Sequence, residues 1–161
     1  MNLDELFDMA EKSAITSFKQ NGEVLNILYV HAKIDNKKTV IAFPNWKVED
    51  PDTEDRNKAT IEKLVQLCYL TKTLEGVVLM SEAWMATVNK GCASEYVQPR
   101  NNPERKEILL VAAYNKNGDS KTRSYEIKRK NGNTSLEPPM EMPGASCWID
   151  RAFGKRFNPY G

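Results

Sequence analysis

The first 22 residues place apolar side chains with the period of an α-helix. The positions that share one face are Leu3, Leu6, Phe7, Ala10, Ala14, Ile15 and Phe18. Asn2 can cap the start of this helix, and Glu5 stands three residues later, as a capping box requires. Gly22 supplies the stop. The pattern therefore predicts an amphipathic helix that packs one face on a core.

A pair of strands is predicted after this helix. Residues 23–32 are rich in β-forming side chains and are largely apolar on both faces, which predicts a central strand covered on both sides. One face carries Leu25, Ile27, Tyr29 and His31, and the other carries Val24, Leu28 and Val30. Residues 35–37 form a turn, and residues 38–43 return as the second strand of a hairpin.

The middle of the chain predicts a second helix. Residues 44–55 are acidic and contain two prolines, which indicates an exposed connection. Residues 53–74 then carry an apolar stripe at helical spacing, formed by Ile61, Leu64, Val65, Cys68 and Tyr69. Gly76 ends this predicted helix.

Three more strands complete the pattern. Residues 77–88 are the most apolar strand, and residues 89–103 form an irregular loop. Residues 107–114 and 120–130 form a hairpin across Asn117-Gly118, and Asn131-Gly132 marks another turn. We predict an α+β fold, with two amphipathic helices and a mostly antiparallel sheet of about five strands, in the order α-β-β-α-β-β-β. Residues 1–161 form one domain, on which an irregular, aromatic tail, 136–161, packs back.

The composition is typical of a globular domain and excludes few classes of function. The chain of 161 residues is 40% hydrophobic and 28% charged, with a net charge of +1. Residues 1–80 hold 10 basic and 13 acidic side chains, and residues 81–161 hold 13 and 9. The three cysteines form no CxxC pair, which favours free thiols in a cytoplasmic protein. No segment approaches the roughly 18 apolar residues of a membrane span, and no signal peptide is apparent.

The single histidine excludes several classes of site. His31 cannot form an HExxH helix or a zinc site with paired cysteines. A catalytic triad would have to use His31, whose place on an apolar strand face predicts a core or edge histidine instead. No glycine-rich phosphate loop is present.

Glu126 and Lys128 form the one pattern that suggests an enzyme. Two residues apart on a strand, they share a face, as in the ExK strand of metal-dependent nucleases. The nearest upstream acid is Asp119, in the hairpin turn, and Glu107 would serve only in a suitable register. A solvated strand face is the favoured interpretation, and a small metal-dependent enzyme acting on nucleic acid or a nucleotide is the alternative.

Glu82 interrupts the most apolar strand on the face shared by Met80 and Trp84. A buried carboxylate needs a partner, and Arg105 or Lys106 begins the next predicted strand. An ion pair at the edge of the core is the favoured interpretation. The alternative is a binding site lined by Glu82, Trp84 and Arg105.

Basic side chains are concentrated in the last strand and the tail. The strand carries Lys121, Arg123, Lys128, Arg129 and Lys130, which could contact phosphate or could simply protect an edge strand. In the tail, Trp148 and Arg151 belong to an aromatic and basic mixture. Completion of the core is the first interpretation, a protein interface the second and nucleic-acid binding the third.

Residues 77–114 resemble a group of small uncharacterised proteins of bacteria and their phages. The shared features are the strand Ser81-Glu82-Ala83-Trp84-Met85 and, after a polar loop, Pro103-Glu104-Arg105-Lys106-Glu107. No activity is attached to that group, so the resemblance implies no catalytic residue. It indicates a protein encoded by a phage or a mobile element.

These observations favour a non-enzymatic binding protein in the cytoplasm. We predict no catalytic residue, metal site or cofactor, because no arrangement of reactive side chains satisfies the geometry of a known mechanism. The predicted binding residues are Glu82, Trp84, Arg105, Trp148 and Arg151, with a protein as the favoured partner. A nucleic-acid-binding module using the basic second half stays as an alternative.

Overall fold

The computed structural model describes residues 1–24, 26–44, 74–85 and 103–142. These residues contain one helix and seven strands. In chain order they are α1 (Leu3–Asn21), β1 (Ile27–Ile34), β2 (Lys37–Pro44), β3 (Leu74–Met85), β4 (Lys106–Asn115), β5 (Ser120–Lys130), β6 (Asn133–Leu136) and β7 (Met140–Glu141).

Helix α1 begins and ends as its sequence predicts. Asn2 accepts a hydrogen bond from the Glu5 amide, and the Glu5 carboxylate accepts one from the Asn2 amide, which completes the capping box. Gly22 has a φ of 68° and closes the last turn by donating its N–H to the Phe18 carbonyl. The buried face consists of Leu6, Phe7, Ala10, Ala14 and Phe18.

All described strands pair antiparallel in one sheet. The order is β2-β1-β3-β4-β5-β6, and β7 pairs with β5 beside β6. The antiparallel sheet was predicted, but the count of about five strands is wrong. The sequence analysis missed β6 and β7 because each is only two to four residues long, and β7 lies in the segment predicted as irregular.

Three tight turns set the register of the hairpins. Asp35 and Asn36 have φ angles of 49° and 64°, and Asn131 and Gly132 have φ angles of 51° and 78°, as the two-residue turns favoured by twisted hairpins require. The turn between β4 and β5 contains Gly118, which has a φ of 85°. The turns predicted from sequence are therefore confirmed.

The core lies between α1 and one face of the sheet. Phe7 and its neighbours on α1 pack on Val78, Met80, Leu109, Val111, Tyr125 and Ile127. Burial of each large side chain contributes about 1.5–3 kcal/mol. The opposite face is also buried, at Leu28, Val30, Val77, Leu79 and Ile108. Both faces of β1 therefore carry buried side chains, as predicted.

A charged cluster fixes α1 to the sheet at one side of this core. The Arg123 guanidinium donates to both carboxylate oxygens of Glu11, at 2.6 and 2.8 Å, and to Glu141 of β7. Tyr125 donates its hydroxyl hydrogen to Glu11 at 3.0 Å. Burial raises the pKa of Tyr125, and the Glu11 carboxylate adds to the increase. Arg123 of the predicted basic strand is therefore a structural residue.

Two predictions cannot be compared with the structure. The second helix, 53–74, lies outside the described residues except for Leu74, which begins β3 instead. Most of the tail, with Trp148 and Arg151, also lies outside them. Within the described part of the chain, no helix has the length and apolar character that crossing a membrane requires.

Candidate functional site

Glu82 stands where β3 leaves the core, and it contacts the segment that follows α1. Its Oε1 atom accepts a hydrogen bond of 3.0 Å from the backbone N–H of Val24. Val24 is buried, so this N–H would lack an acceptor without the carboxylate. The Glu82 carboxylate thus fixes the connection between α1 and β1 to the middle of the sheet.

Arg129 of β5 is the ionic partner of Glu82. Its Nη2 atom lies 3.8 Å from Glu82 and 2.9 Å from Glu107, and its Nη1 atom donates to the Gly22 carbonyl at 3.2 Å. The bonded Glu107 carboxylate raises the pKa of Arg129. The ion pair favoured for Glu82 is present, but the predicted partner, Arg105 or Lys106, is wrong. Sequence spacing could not reveal Arg129, because β5 is not adjacent to β3.

Trp84 and Arg105 form a separate pair beyond this network. The Arg105 Cζ atom lies 4.6 Å from the centroid of the Trp84 ring, within cation–π distance. Trp84 is 46% exposed, although residues 76–81 before it are buried. It stands opposite Glu107 in the register of β3 and β4. The structure therefore brings two of the predicted binding residues together at the surface and gives Glu82 a structural contact beside them.

The ExK pattern is an ordinary ion pair in this structure. Lys128 Nζ lies 2.9 Å from Glu126, and Lys106 Nζ lies 3.9 Å from it. The bonded Lys128 lowers the pKa of Glu126, and the carboxylate raises the pKa of Lys128. Asp119 instead accepts from the Asn115 amide in its turn. Among the described residues no group of three potential ligands could hold a metal ion.

The cations of the second half are largely neutralised by carboxylates. Ion pairs join Lys106 and Lys128 to Glu126, Lys116 to Glu75, Lys121 to Asp4, Arg123 to Glu11, and Arg129 to Glu107. A phosphate backbone would have to displace these carboxylates to bind the same cations. The described part of the basic half therefore gives no support to a nucleic-acid interface.

A pocket at the opposite end of β3 was missed by the sequence analysis. Its volume is about 470 Å³, and it lies between the start of α1, the ends of β1 and β4, and the start of β3. His31, Gly76 and Asn115 stand side by side across three strands on its sheet side. His31 is 4% exposed, which agrees with the core position among the two predicted for it, core or edge. No local sequence pattern places these three strands or α1 together.

One comparison with known proteins gives a match. Residues 69–147 match the family described as Bacteriophage lambda protein ea47. This is just under half of the chain, and it spans β3 to β7, with Trp84 and Arg105 inside it and α1 and His31 outside. No curated protein and no solved structure matches the chain. The chain is thus similar to a phage protein family over most of its sheet.

Proposed function

We propose that this chain is a phage-type, non-enzymatic protein that binds a protein partner in the cytoplasm. The contact surface is formed by Trp84 and Arg105, and we call it the Trp84 surface. The observation that carries the proposal is the exposed indole of Trp84, which the Arg105 guanidinium covers at 4.6 Å. The similarity of residues 69–147 to a phage family supports the origin.

An exposed tryptophan calls for a functional reason more than an exposed smaller residue does. The indole adds little to the core while nearly half of its area faces water. Tryptophan and arginine are enriched at the energetic centres of protein interfaces, because they bury much area and retain polar contacts. A partner that covers the Trp84 surface would bury the exposed area of two neighbouring side chains.

The network behind the Trp84 surface supports binding without rearrangement. Arg129 contacts the carboxylates of both Glu107 and Glu82, and it donates to the Gly22 carbonyl, while Glu82 accepts from the Val24 N–H. They therefore connect the ends of β3, β4 and β5 beside Trp84. A surface held in place loses less conformational entropy when a partner binds.

A protein partner fits these observations better than nucleic acid or a substrate. The described cations near the surface, Lys106 and Arg129, already contact carboxylates. Trp148 and Arg151 remain predicted binding residues, and their variants belong in the same assay.

The experiment compares two equally exposed large side chains. The purified protein is immobilised and exposed to nuclease-treated extract of bacterial host cells, in parallel with Trp84→Ala and Met140→Ala. Met140 is 48% exposed on β7 and serves as the matched control. A protein retained by the wild type and the control, but not by Trp84→Ala, is then purified and its affinity measured.

We expect Trp84→Ala to weaken the purified complex by about 30-fold or more, the effect of losing a central interface residue. Met140→Ala should change the affinity by less than about twofold, as a residue outside the contact does. Equal losses in the two variants would refute a protein interface at Trp84, and so would retention that occurs only in a parallel extract left without nuclease treatment. Melting temperatures of both variants exclude loss of folding as the cause.

A further inference from the structure

Strand β2 forms one edge of the described sheet. Among the described strands it pairs only with β1, and its register runs without a break over eight residues. The two-residue turn closes on Ile34 and Lys37, which form a hydrogen-bonded pair, and bonded pairs then alternate along the hairpin. Lys38, Val40 and Ala42 therefore turn their backbone N–H and C=O groups away from β1.

The sequence of β2 gives this edge little protection against a further strand. Edge strands are usually protected by short length, a bulge, proline or charged side chains. The charges of β2 lie at one end, on Lys37 and Lys38, and residues 39–43 contain neither a charge nor a proline. Four of these five residues are β-branched or aromatic, which favours strand pairing.

The opposite edge of the described sheet is protected. Strand β6 has only four residues. Residues 137–139 oppose only residues 125–126 of β5, which makes a bulge between β6 and β7. This bulge contains Pro138 and Pro139, which have no N–H to donate. Of the two described edges, β2 is therefore the one that offers a regular strand for pairing.

We propose that β2 pairs antiparallel with β2 of a second copy of this chain, across a two-fold axis beside Val40. In this register Val40 stands opposite Val40 of the second copy, and Lys38 stands opposite its Ala42. The outward-facing backbone groups of the two strands then bond to one another. The protected edge at β6 and β7 resists further pairing, so assembly stops at two copies.

The charge pattern of β2 selects a second copy in this register. Like charges directly opposite each other destabilise a strand pair. Centring the pair on Val40 places Lys37 and Lys38 opposite uncharged residues, whereas a register centred nearer the turn places lysine opposite lysine. Thr39 then stands opposite Ile41, a β-branched pair that packs well across strands. The strand is thus complementary to itself, with an uncharged middle and its lysines at opposite ends of the pair.

Sedimentation equilibrium of the full chain measures the association directly. The monomer has a mass of 18.3 kDa. A pair of edge strands buries less area than a standard interface, so we expect half of the chains to be dimeric at about 50 µM. A mass that stays at the monomer value up to about 500 µM would overturn the proposal, and the edge would then be left for an extended segment of another protein. Growth beyond the dimer would also overturn it.

Charge variants at Ala42 test the register. Ala42 is exposed, and the two-fold axis places it opposite Lys38 twice in the dimer. We expect Ala42→Glu to tighten the dimer by about fivefold and Ala42→Lys to weaken it by about fivefold. Adding Lys38→Glu to Ala42→Lys should reverse the loss. Effects of the same sign in the two single variants would contradict this pairing.

Hydrogen exchange of the wild type locates the contact without any substitution. The amides of Val40 and Ala42 should exchange severalfold more slowly at a concentration where the dimer forms than in dilute solution, while the amide of Ser135 on β6 should not change. Unchanged exchange at Val40 and Ala42 in the dimer would refute a contact at β2.

A last pair of variants separates this contact from the proposed protein interface. Strand β1 lies between β2 and β3, so the β2 edge is distinct from the Trp84 surface. Trp84→Ala and Ser135→Lys, both at exposed positions, should keep the dimer constant within about twofold. Loss of the dimer in Trp84→Ala would place the contact at the Trp84 surface and overturn the pairing of β2.

Discussion

Replacement of Glu82 tests whether this carboxylate is a structural group. Glu82→Ala removes the acceptor of the buried Val24 N–H, and an unpaired buried donor costs about 1–3 kcal/mol. The ion pair with Arg129 adds less than about 1 kcal/mol, because the two side chains are 30% and 39% exposed and 3.8 Å apart. We therefore expect Glu82→Ala to lower the free energy of unfolding by about 2–3 kcal/mol.

The conservative variant separates the two contributions. Glu82→Gln keeps a side-chain oxygen for the Val24 N–H and loses only the charge, so its cost should be at most about 1 kcal/mol. The assay is urea denaturation followed by circular dichroism, where 2 kcal/mol moves the midpoint by about 1 M. Glu126→Ala is the matched control, since it removes a strand glutamate that bonds to a side chain, Lys128. Equal costs for Glu82→Ala and Glu82→Gln, or a cost of Glu82→Ala no larger than that of the control, would refute the reasoning.

Two further predictions concern the helix contact and acid stability. Glu11→Ala should lower the free energy of unfolding by about 2 kcal/mol in the same assay, because Arg123 and Tyr125 both lose an acceptor. This value lies between those typical of an exposed and of a buried ion pair. A decrease below about 0.5 kcal/mol would contradict this prediction. Burial lowers the pKa of His31, and the N-terminal amine adds to the decrease, so below about pH 6.5 the unfolded chain binds more protons than the folded one. The free energy of unfolding should therefore fall as the pH drops from about 7 through 6.5, and His31→Leu should remove this pH dependence. A pH dependence that persists in the variant would show that a group other than His31 causes it.

The local parts of the fold could be predicted from sequence. The capping box at Asn2, the stop at Gly22 and the turns at Asn117-Gly118 and Asn131-Gly132 are set by neighbouring residues, and the structure confirms them. Strands β6 and β7 could not be predicted, because two to four residues give too short an alternation. Both strands form by pairing with β5. This strand is near them in sequence, but residue composition does not reveal the pairing.

The candidate site divides in the same way. Trp84 and Arg105 could be selected by residue type, and the structure places them together. The partner of Glu82 could not be identified, because Arg129 reaches it only through the order of strands in the sheet. The basic pattern of β5 was ambiguous for a related reason. Its charge is visible in the sequence, whereas most of the carboxylates that neutralise it come from α1, β4 and β7.

The most direct test of the proposed function measures Trp84 within the complex. Hydroxyl-radical oxidation is followed by mass spectrometry at Trp84 and at Met140, with and without the purified partner. We expect the oxidation rate of Trp84 to fall severalfold in the complex, while that of Met140 stays unchanged. An unchanged rate at Trp84 in a fully formed complex would contradict it.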